Sequence, residues 1–581
     1  MFSNIFYNYR NNTIHLWEYI NNKREYTSFE YLPYCYILDT AGDYKDLRGN
    51  KCKIKKFSSW KAQKDFAEKY DTYEGDIYPD DRTLIDKYHN IQLTELPKLD
   101  IHTIDIETKA DKGFPKTSNP ENEITLITVY SSLLNKYYSF GIKDYTPKTK
   151  AVEYQYCDNE EELLRKYFKW HRENYPDIIT GWNSYWFDIP YILERAKLII
   201  GESFTKKYSP IDYIEPINNK RGISYKIAGI SQLDYLDLYK TFSENEREEY
   251  KLHYISNLEL GEGKIEFEGE LKDLWKTDWT TYVNYNIKDV YLVNRLEKKL
   301  GYIKLAISQS YICKVPFEKY GVSIKKFDNF LISTLKDKKV VLLSVKKNNI
   351  SEEIPGGYVS EPRKGYYEKV VSYDFTSLYP HIIMALNISP ETYLGKIQGG
   401  FTDLDLTKLK EDFQYTIKFL SGIKEFSGKE LLEYIKKNEL ILSPNGVLYT
   451  SQEGFIPKII KYLYAKRKEY KTKMTESEKK YVETKDEKYL HEKTTFDSFQ
   501  HTTKITLNSA FGILANEYYR LYNIDSASAI TLTGQKLIKF TGGIIEDFFK
   551  NKFGVNNIVL AQDTDSAYLT FVDVCKKLKI T

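Results

Sequence analysis

The chain has 581 residues, more than one hydrophobic core can serve, and should divide into several domains. Hydrophobic residues make up 41% and charged residues 29%, a composition of folded rather than disordered proteins. Its 85 basic and 82 acidic residues leave only +3, so net charge does not announce a polyanion binder and any basic track must be local. Cys35, Cys52, Cys157, Cys313 and Cys575 are scattered without a C-x-x-C pair, which argues against a zinc ribbon, an iron–sulfur cluster or a disulfide scaffold. No basic-then-apolar leader opens the chain and no run reaches the ~18 apolar residues of a membrane span. The expectation is a soluble, intracellular protein that makes no membrane contact.

Residues 1 to about 99 read as short strands, such as 13–17, mixed with charged helical stretches. From Ile101 to about Leu300 strand and helix patterns alternate, an α/β unit, and about 302–345 is helical and basic. Ile354-Pro355-Gly356-Gly357-Tyr358 then punctuates the chain like a linker. Beyond it the patterns predict a strand–turn–helix at 369–386, a polar helical insertion near 402–440 and a charged helix pair at 457–516. Strands near 556–571 follow. For the charge-rich stretch 466–493, composition alone favours a solvated helical hairpin.

Within the α/β unit, Asp105-Ile106-Glu107 lies on a strand whose period of two puts Ile104 and Ile106 on one face and both carboxylates on the other. Asn183-Ser184-Tyr185-Trp186-Phe187-Asp188 leads from a strand through a loop into a helix with Pro190 in its first turn. An N-cap is the plain explanation of Asp188 there. Tyr285 and Asp289 lie four apart on one helix face, with Tyr285 placed to orient an attacking water. Singly, each pattern is commonplace. In this order, Asp105, Glu107, Asp188 and Asp289 are the four carboxylates that two Mg²⁺ ions need to activate water and stabilise a leaving 3′-oxygen.

A second set follows. Val370-Val371-Ser372-Tyr373-Asp374 is a strand that delivers Asp374 to a turn, where Thr376 and Ser377 can cap the helix starting at Tyr379-Pro380. Asp563-Thr564-Asp565 sits at the bend of a predicted hairpin, a pattern that alone is usually just a turn. Between them Lys504, Asn508 and Phe511 form one helical stripe, and Arg467 and Lys471 form a cationic pair. Opposed, these faces can clamp a triphosphate between two metal-binding aspartates.

In order and over nearly the whole chain, these motifs resemble the family B (α-like) DNA polymerases, specifically the replicative enzymes of T-even-type bacteriophages. Asp105-Ile106-Glu107, Asn183 to Asp188 and Tyr285 to Asp289 resemble the three exonuclease motifs. Tyr373-Asp374-Phe375-Thr376-Ser377-Leu378-Tyr379-Pro380 resembles polymerase motif A, Lys504 to Gly512 motif B, and Asp563-Thr564-Asp565-Ser566 motif C. Gly356-Gly357-Tyr358 resembles the linker motif between editing and polymerising halves. The resemblance implies an α/β and α+β multidomain fold: a ribonuclease H-like 3′–5′ exonuclease domain plus a partial right-hand polymerase of palm and fingers. It divides the chain into an N-terminal domain (1–99, with 302–345 returning to it), an exonuclease domain (100–301), a first palm part (346–453), fingers (454–516) and an incomplete second palm part (517–581).

By the same resemblance, Asp105, Glu107, Asp188 and Asp289 hold two Mg²⁺ ions, with Mn²⁺ able to substitute, and Asp374, Asp565 and the Phe375 carbonyl hold two more. Asp563 stands beside them as a catalytic carboxylate. Ser377, Leu378 and Tyr379 line the dNTP, with Tyr379 under the sugar excluding a 2′-hydroxyl; Arg467, Lys471, Lys504 and Asn508 take its phosphates. Residues 213–228, turning at 218–222, are a candidate strand-separating hairpin. Phe511 departs from the usual tyrosine of motif B, and Gln562 from a usual tyrosine or glycine. With motif C so near Thr581, the expectation is a thumbless N-terminal piece of a split or truncated polymerase with 3′–5′ proofreading, serving phage DNA replication in the host cytoplasm. Its implied partners are primer-template DNA, a C-terminal thumb-bearing polypeptide and, through that polypeptide, a sliding clamp. The runner-up is a stand-alone DNA 3′–5′ exonuclease whose polymerase site is inert without that partner. A non-catalytic scaffold and a protein-primed polymerase rank below both.

Overall fold

The computed structural model describes residues 1–580 except 92, 94, 110, 112, 114, 220, 221, 244 and 346–352. The chain opens with an antiparallel sheet of β1 (Phe2–Asn8), β2 (Thr13–Ile20) and β3 (Lys23–Glu30). A second small sheet holds β4 (Tyr34–Leu38), β5 (Tyr44–Lys45) and β6 (Lys51–Lys56) in the order β4-β6-β5. The six-stranded sheet that follows contains β7 (Ile101–Thr108), β8 (Ile124–Ser131), β9 (Lys136–Gly141), β10 (Val152–Tyr156) and β11 (Ile178–Thr180). A separate hairpin, β12 (Ile214–Asn219) with β13 (Gly222–Ile227), precedes its last strand, β14 (Ser231–Gln232). The turn of that hairpin, at 220 and 221, lies outside the described residues. Strand order is β10-β9-β8-β7-β11-β14, so β7 is central, antiparallel to β8 and parallel to β11. Ile104, Ile106, Ile127, Phe140, Leu164 and Ile192 close the core on one face, and helix Trp279–Leu300 lies across the other.

Helices Tyr302–Cys313 and Ser323–Lys336 then carry the chain back to its first hundred residues. Thr72 and Ser344 share a hydrogen bond (2.8 Å), and the Glu74 amide donates to the Leu342 carbonyl (2.9 Å). Next come β15 (Val370–Asp374) and helix Leu378–Ala385. Residues 402–440 depart from the expected polar helical insertion. Apart from a short turn of helix and helix Gly428–Lys437, they form β17 (Gln414–Phe419) and β18 (Gly422–Ser427). These two join β16 (Tyr393–Ile397), β19 (Ile441–Leu442) and β20 (Val447–Tyr449) in a five-stranded sheet. The alternation Tyr415, Ile417 buried against exposed Gln414, Lys418 is strand-like, and high Lys and Asp content masked it.

Helices Phe455–Thr484 and Glu487–Leu514 form the expected pair, and the long helix Ile524–Phe553, for which the sequence reading had no counterpart, leads to β21 (Val559–Asp563) and β22 (Ser566–Thr570). One core joins Ile85, Leu331, Ile382, Ile460, Leu507 and Ile530 across all these segments. The sheet order β15-β22-β21 sets Asp374 opposite Ser566. The segment read as a linker, 354–358, leads into residues 358–363, which run along the outer edge of β21. The Thr564 amide donates to the Tyr358 carbonyl (2.8 Å), Ser360 to Gln562 (2.9 Å) and Arg363 to Leu560 (2.9 Å). Among the described residues, the free edge of this sheet is therefore β15. Among the described residues no helix is long and apolar enough to cross a membrane.

Arg520, just beyond the helix pair, is wholly buried. Its guanidinium donates to both oxygens of Asp328 (2.7 and 2.8 Å), to Asp76 (2.9 and 3.2 Å) and to the Leu343 carbonyl (2.6 Å). Removing one partner of a buried ion pair strands the other charge. Arg520→Ala should therefore lower unfolding stability by about 3–5 kcal/mol in urea titration. A loss under about 1 kcal/mol would show that Asp328 is readily rehydrated.

Candidate active sites

Strand alternation places Asp105 and Glu107 on the face of β7 that looks toward helix Trp279–Leu300, opposite the buried Ile104 and Ile106. That helix supplies Tyr285, Asn286 and Asp289. Ligand oxygens of Asp105, Glu107 and Asp289 all fall within 4.8 Å of one another. Asp188 is outside that trio but adjoins it: its Oδ1 accepts the Ile106 amide at 3.0 Å. The N-cap explanation of Asp188 is corrected by this geometry. It is the first residue inside helix Asp188–Ile199, the cap position is Phe187, and no side chain caps the end.

Burial and mutual repulsion dominate the electrostatics. Glu107 is pushed up to about 8 by burial and then by Asp289. Burial, reinforced by Asp289, Asp188 and Glu107, raises Asp105 well above the carboxylate range, and burial raises Asp188 to about 7 and lifts Asp289. Two residues that sequence reasoning missed answer this charge. Lys264 Nζ donates to Asp289 and, at 3.0 Å, to the Tyr285 hydroxyl. Burial opposes its charge, but Asp289, Tyr285 and Asp105 outweigh that and hold it protonated. Asn286 Nδ2 donates to Asp105 Oδ2 at 2.6 Å. Asn286 was in plain view within the helical motif; Lys264 sits in a loop, where no periodicity could mark it. Asp289 Oδ1 remains buried without a partner. An all-oxygen donor set with such an orphaned atom fits a hard divalent cation.

The second set is more open. Asp374 and Asp563 are exposed and Asp565 half-buried. The Phe375 amide donates to the Asp565 carbonyl (2.8 Å), and Asp565 is raised by burial and then by Asp374, with Asp563 adding a smaller push. The motif A and motif C aspartates are thus neighbours, although with Asp563 they do not close into a trio as tight as the first. Thr564 makes the two-residue turn with φ 53°. A Cβ on Gly357 would meet its side chain at 2.6 Å, so only glycine lets the flanking segment approach. Ser377 does precede helix Leu378–Ala385, but it takes φ 55° and makes no side-chain cap, and Thr376 makes none either; the expected capping is absent. Leu378 is buried. Tyr379 packs on Phe511 (centroids 4.6 Å) and lies within electrostatic reach of Asp565. Gln562 donates to the Ile538 carbonyl (2.6 Å), fastening helix Ile524–Phe553 to β21.

The helix pair stands over this sheet. Tyr470 against Phe499 (5.4 Å) and Ser477 Oγ to Glu492 (3.4 Å) set its antiparallel register, which puts Arg467 within about half a turn of Lys504. Lys471, Lys504 and Asn508 are exposed, and Arg467 Nε is buried without a partner.

Two carboxylate centres on one chain, one buried beside a mixed sheet and one beneath a helical hairpin, define a class: nucleotidyl-transferring enzymes with an attached exonuclease unit. The chain belongs to DNA polymerase family B. The family signature matches residues 319–574, and that of the family B exonuclease domain matches 43–255. The DNA-directed DNA polymerase of Enterobacteria phage T4 is 29% identical over 96% of this chain and 68% of its own length. That of Escherichia phage RB69 is 27% identical over 93% and 65%. The DNA polymerase delta catalytic subunit of Schizosaccharomyces pombe is 26% identical over 83% and 43%. The chain therefore spans about two thirds of the phage relatives and less than half of the delta subunit.

The crowded trio predicts a pH-dependent stability in chelator. With its pKa raised to about 8, folded Glu107 holds its proton more tightly than the unfolded chain does. Its contribution is full below the unfolded value of ~4.3 and is lost as pH rises through the folded one. In EDTA the melting temperature should fall from about pH 5 to about pH 9 and recover with a divalent ion, and Glu107→Gln should flatten part of that fall. A melting temperature indifferent to both pH and metal would contradict the described crowding.

Proposed function

We propose that the chain carries a 3′–5′ proofreading exonuclease, a ribonuclease H-like unit at 100–301, and a template-directed DNA polymerase site on palm parts 346–453 and 517–581 with fingers at 454–516. Residues 1–99 with 302–345 form its N-terminal domain. The observation that carries the editing activity is the close trio of half-buried Asp105 and Glu107 with buried Asp289, and Lys264 lodged against it. Two Mg²⁺ ions, replaceable by Mn²⁺, would supply an activated water and offset charge on the leaving 3′-oxygen. This chain's own residues orient and balance. Asp188, fixed by the Ile106 amide, completes the carboxylates. Tyr285 accepts from Lys264 and so keeps its own hydroxyl proton free to point at water or phosphate. For synthesis, Asp374, Asp565 and the Phe375 carbonyl would hold the second metal pair, with Asp563 alongside. Ser377, Leu378 and Tyr379 would line the dNTP, and Arg467, Lys471, Lys504 and Asn508 would bind its phosphates. Phage DNA replication in the host cytoplasm is the setting its phage relatives suggest.

A second reading, exonuclease activity alone until a further polypeptide completes palm and thumb and brings a sliding clamp, draws on a specific surface. Leu537, Phe540, Ile544 and Phe548 form an exposed apolar stripe on helix Ile524–Phe553. Free edge β15 also exposes Val370, Val371 and Tyr373. Such a face and edge call for cover.

In a single-stranded DNA digestion assay with Mg²⁺, Asp105→Ala with Glu107→Ala should slow release of 3′ nucleotides by at least about 100-fold, beyond what an outer partner of a metal site costs. Undiminished digestion would remove the trio from the chemistry. On an Asp105→Ala, Asp289→Ala background, extension of a primed template by this chain should be weak and restored by a thumb-bearing fragment. Restored enzyme with Tyr379→Ala should incorporate ribonucleotides, and an unchanged dNTP to rNTP ratio would reduce Tyr379 to a packing residue against Phe511.

A further inference from the structure

A cavity of about 350 Å³ lies where β1, the start of helix Pro79–Tyr88, β13 and residues 316–320 meet, and neither the close carboxylate trio nor Asp374, Asp563 or Asp565 lines it. Its wall is rich in acceptors: Asp80, Gln232, Asp234, Asp237 and Glu318. Asp80 sits in the first turn of its helix, where an acid is ordinary. Yet it is only 4% exposed and its Oδ1 has no hydrogen-bond partner. Gln232 donates Nε2 to the Tyr225 carbonyl (2.5 Å) and leaves Oε1 buried and unpaired. Two lysines line the same space. Lys226 approaches Asp80 only to 3.7 Å, and Lys319 is engaged by Asp81 at 2.9 Å. Phe6, Tyr185, Tyr225 and Tyr320 present aromatic surface.

We propose that this cavity binds a small organic cation whose nitrogens only donate hydrogen bonds, of the guanidinium or primary-ammonium class. An anion would face four carboxylates, with Lys319 already engaged by Asp81. A neutral apolar ligand would offer this acid-rich wall no donor, whereas a nitrogen cation donates to it and lies well on aromatic faces. Asp234 also accepts the amides of Asn183 (3.2 Å) and Tyr185 (2.9 Å). A bound cation would therefore brace the loop that leads to Asp188.

Calorimetry and thermal shift on the full chain, with agmatine, spermidine and uncharged adenosine as probes, test this. Agmatine or spermidine should bind with 1:1 stoichiometry and raise the melting temperature once in excess of its Kd. Asp80→Asn should weaken that binding at least about tenfold. Ile217→Trp, at a rim position 40% exposed, should block binding while the ligand-free melting temperature stays put. Because it does not touch the buried acid, it decides the matter even if Asp80→Asn fails to fold. The proposal is overturned if neither amine binds below about 10 mM. It also falls if amine binding ignores both variants, as on a merely acidic surface, or if adenosine binds in the amines' place.

Discussion

Carboxylates packed within 4.8 Å of one another in a partly buried pocket repel, and that repulsion is the constraint around which the first site is built. Three devices oppose it. Lys264 supplies a cation, Asn286 donates to Asp105, and the β7 amide of Ile106 donates to Asp188. Each depends on β7 being central in its sheet and on helix Trp279–Leu300 crossing it, because an edge strand could not hold two side chains against a helix so closely. Breaking any of these devices leaves negative charge in a low-dielectric place, where it costs most.

The second centre follows a different economy. Its aspartates lie on a three-stranded sheet with one free edge and much solvent, so the rise at Asp565 is smaller in consequence and the geometry looser. What holds it is mostly backbone, the Phe375 amide on the Asp565 carbonyl and the Thr564 amide on the Tyr358 carbonyl, with the Gln562 side chain pinning the long helix behind. A site fixed by main-chain bonds tolerates side-chain exposure, and it leaves the carboxylates free to reorient around ligands.

Much of this was legible in the chain. Period-two alternation fixed the two faces of β7, and i, i+4 spacing put Tyr285 with Asp289 and Arg467 with Lys471, because local geometry sets those relations. What failed depended on partners distant in sequence. Residues 414–427 look polar because their hairpin has one solvated face, so composition hid the strands. Residues 358–363 carry no strand pattern, and their pairing with the edge of β21 could not be read from their own sequence. Lys264 acquires meaning from a strand some 160 residues earlier (264 − 105 = 159), a relation no spacing rule encodes.

Arg520 sets a fulcrum. Helix Glu487–Leu514 ends close to it, and Thr494 lies 20 residues back along the helix (514 − 494 = 20), about 30 Å at 1.5 Å per residue. There Lys304 Nζ donates to Thr494 Oγ1 at 2.7 Å. A tilt of 10° about the buried guanidinium would carry Thr494 about 5 Å, far past hydrogen-bond reach. A tilt of the helical hairpin about that ion pair would therefore strain its far end, at Lys304 and Thr494, more than the packed end beside Arg520.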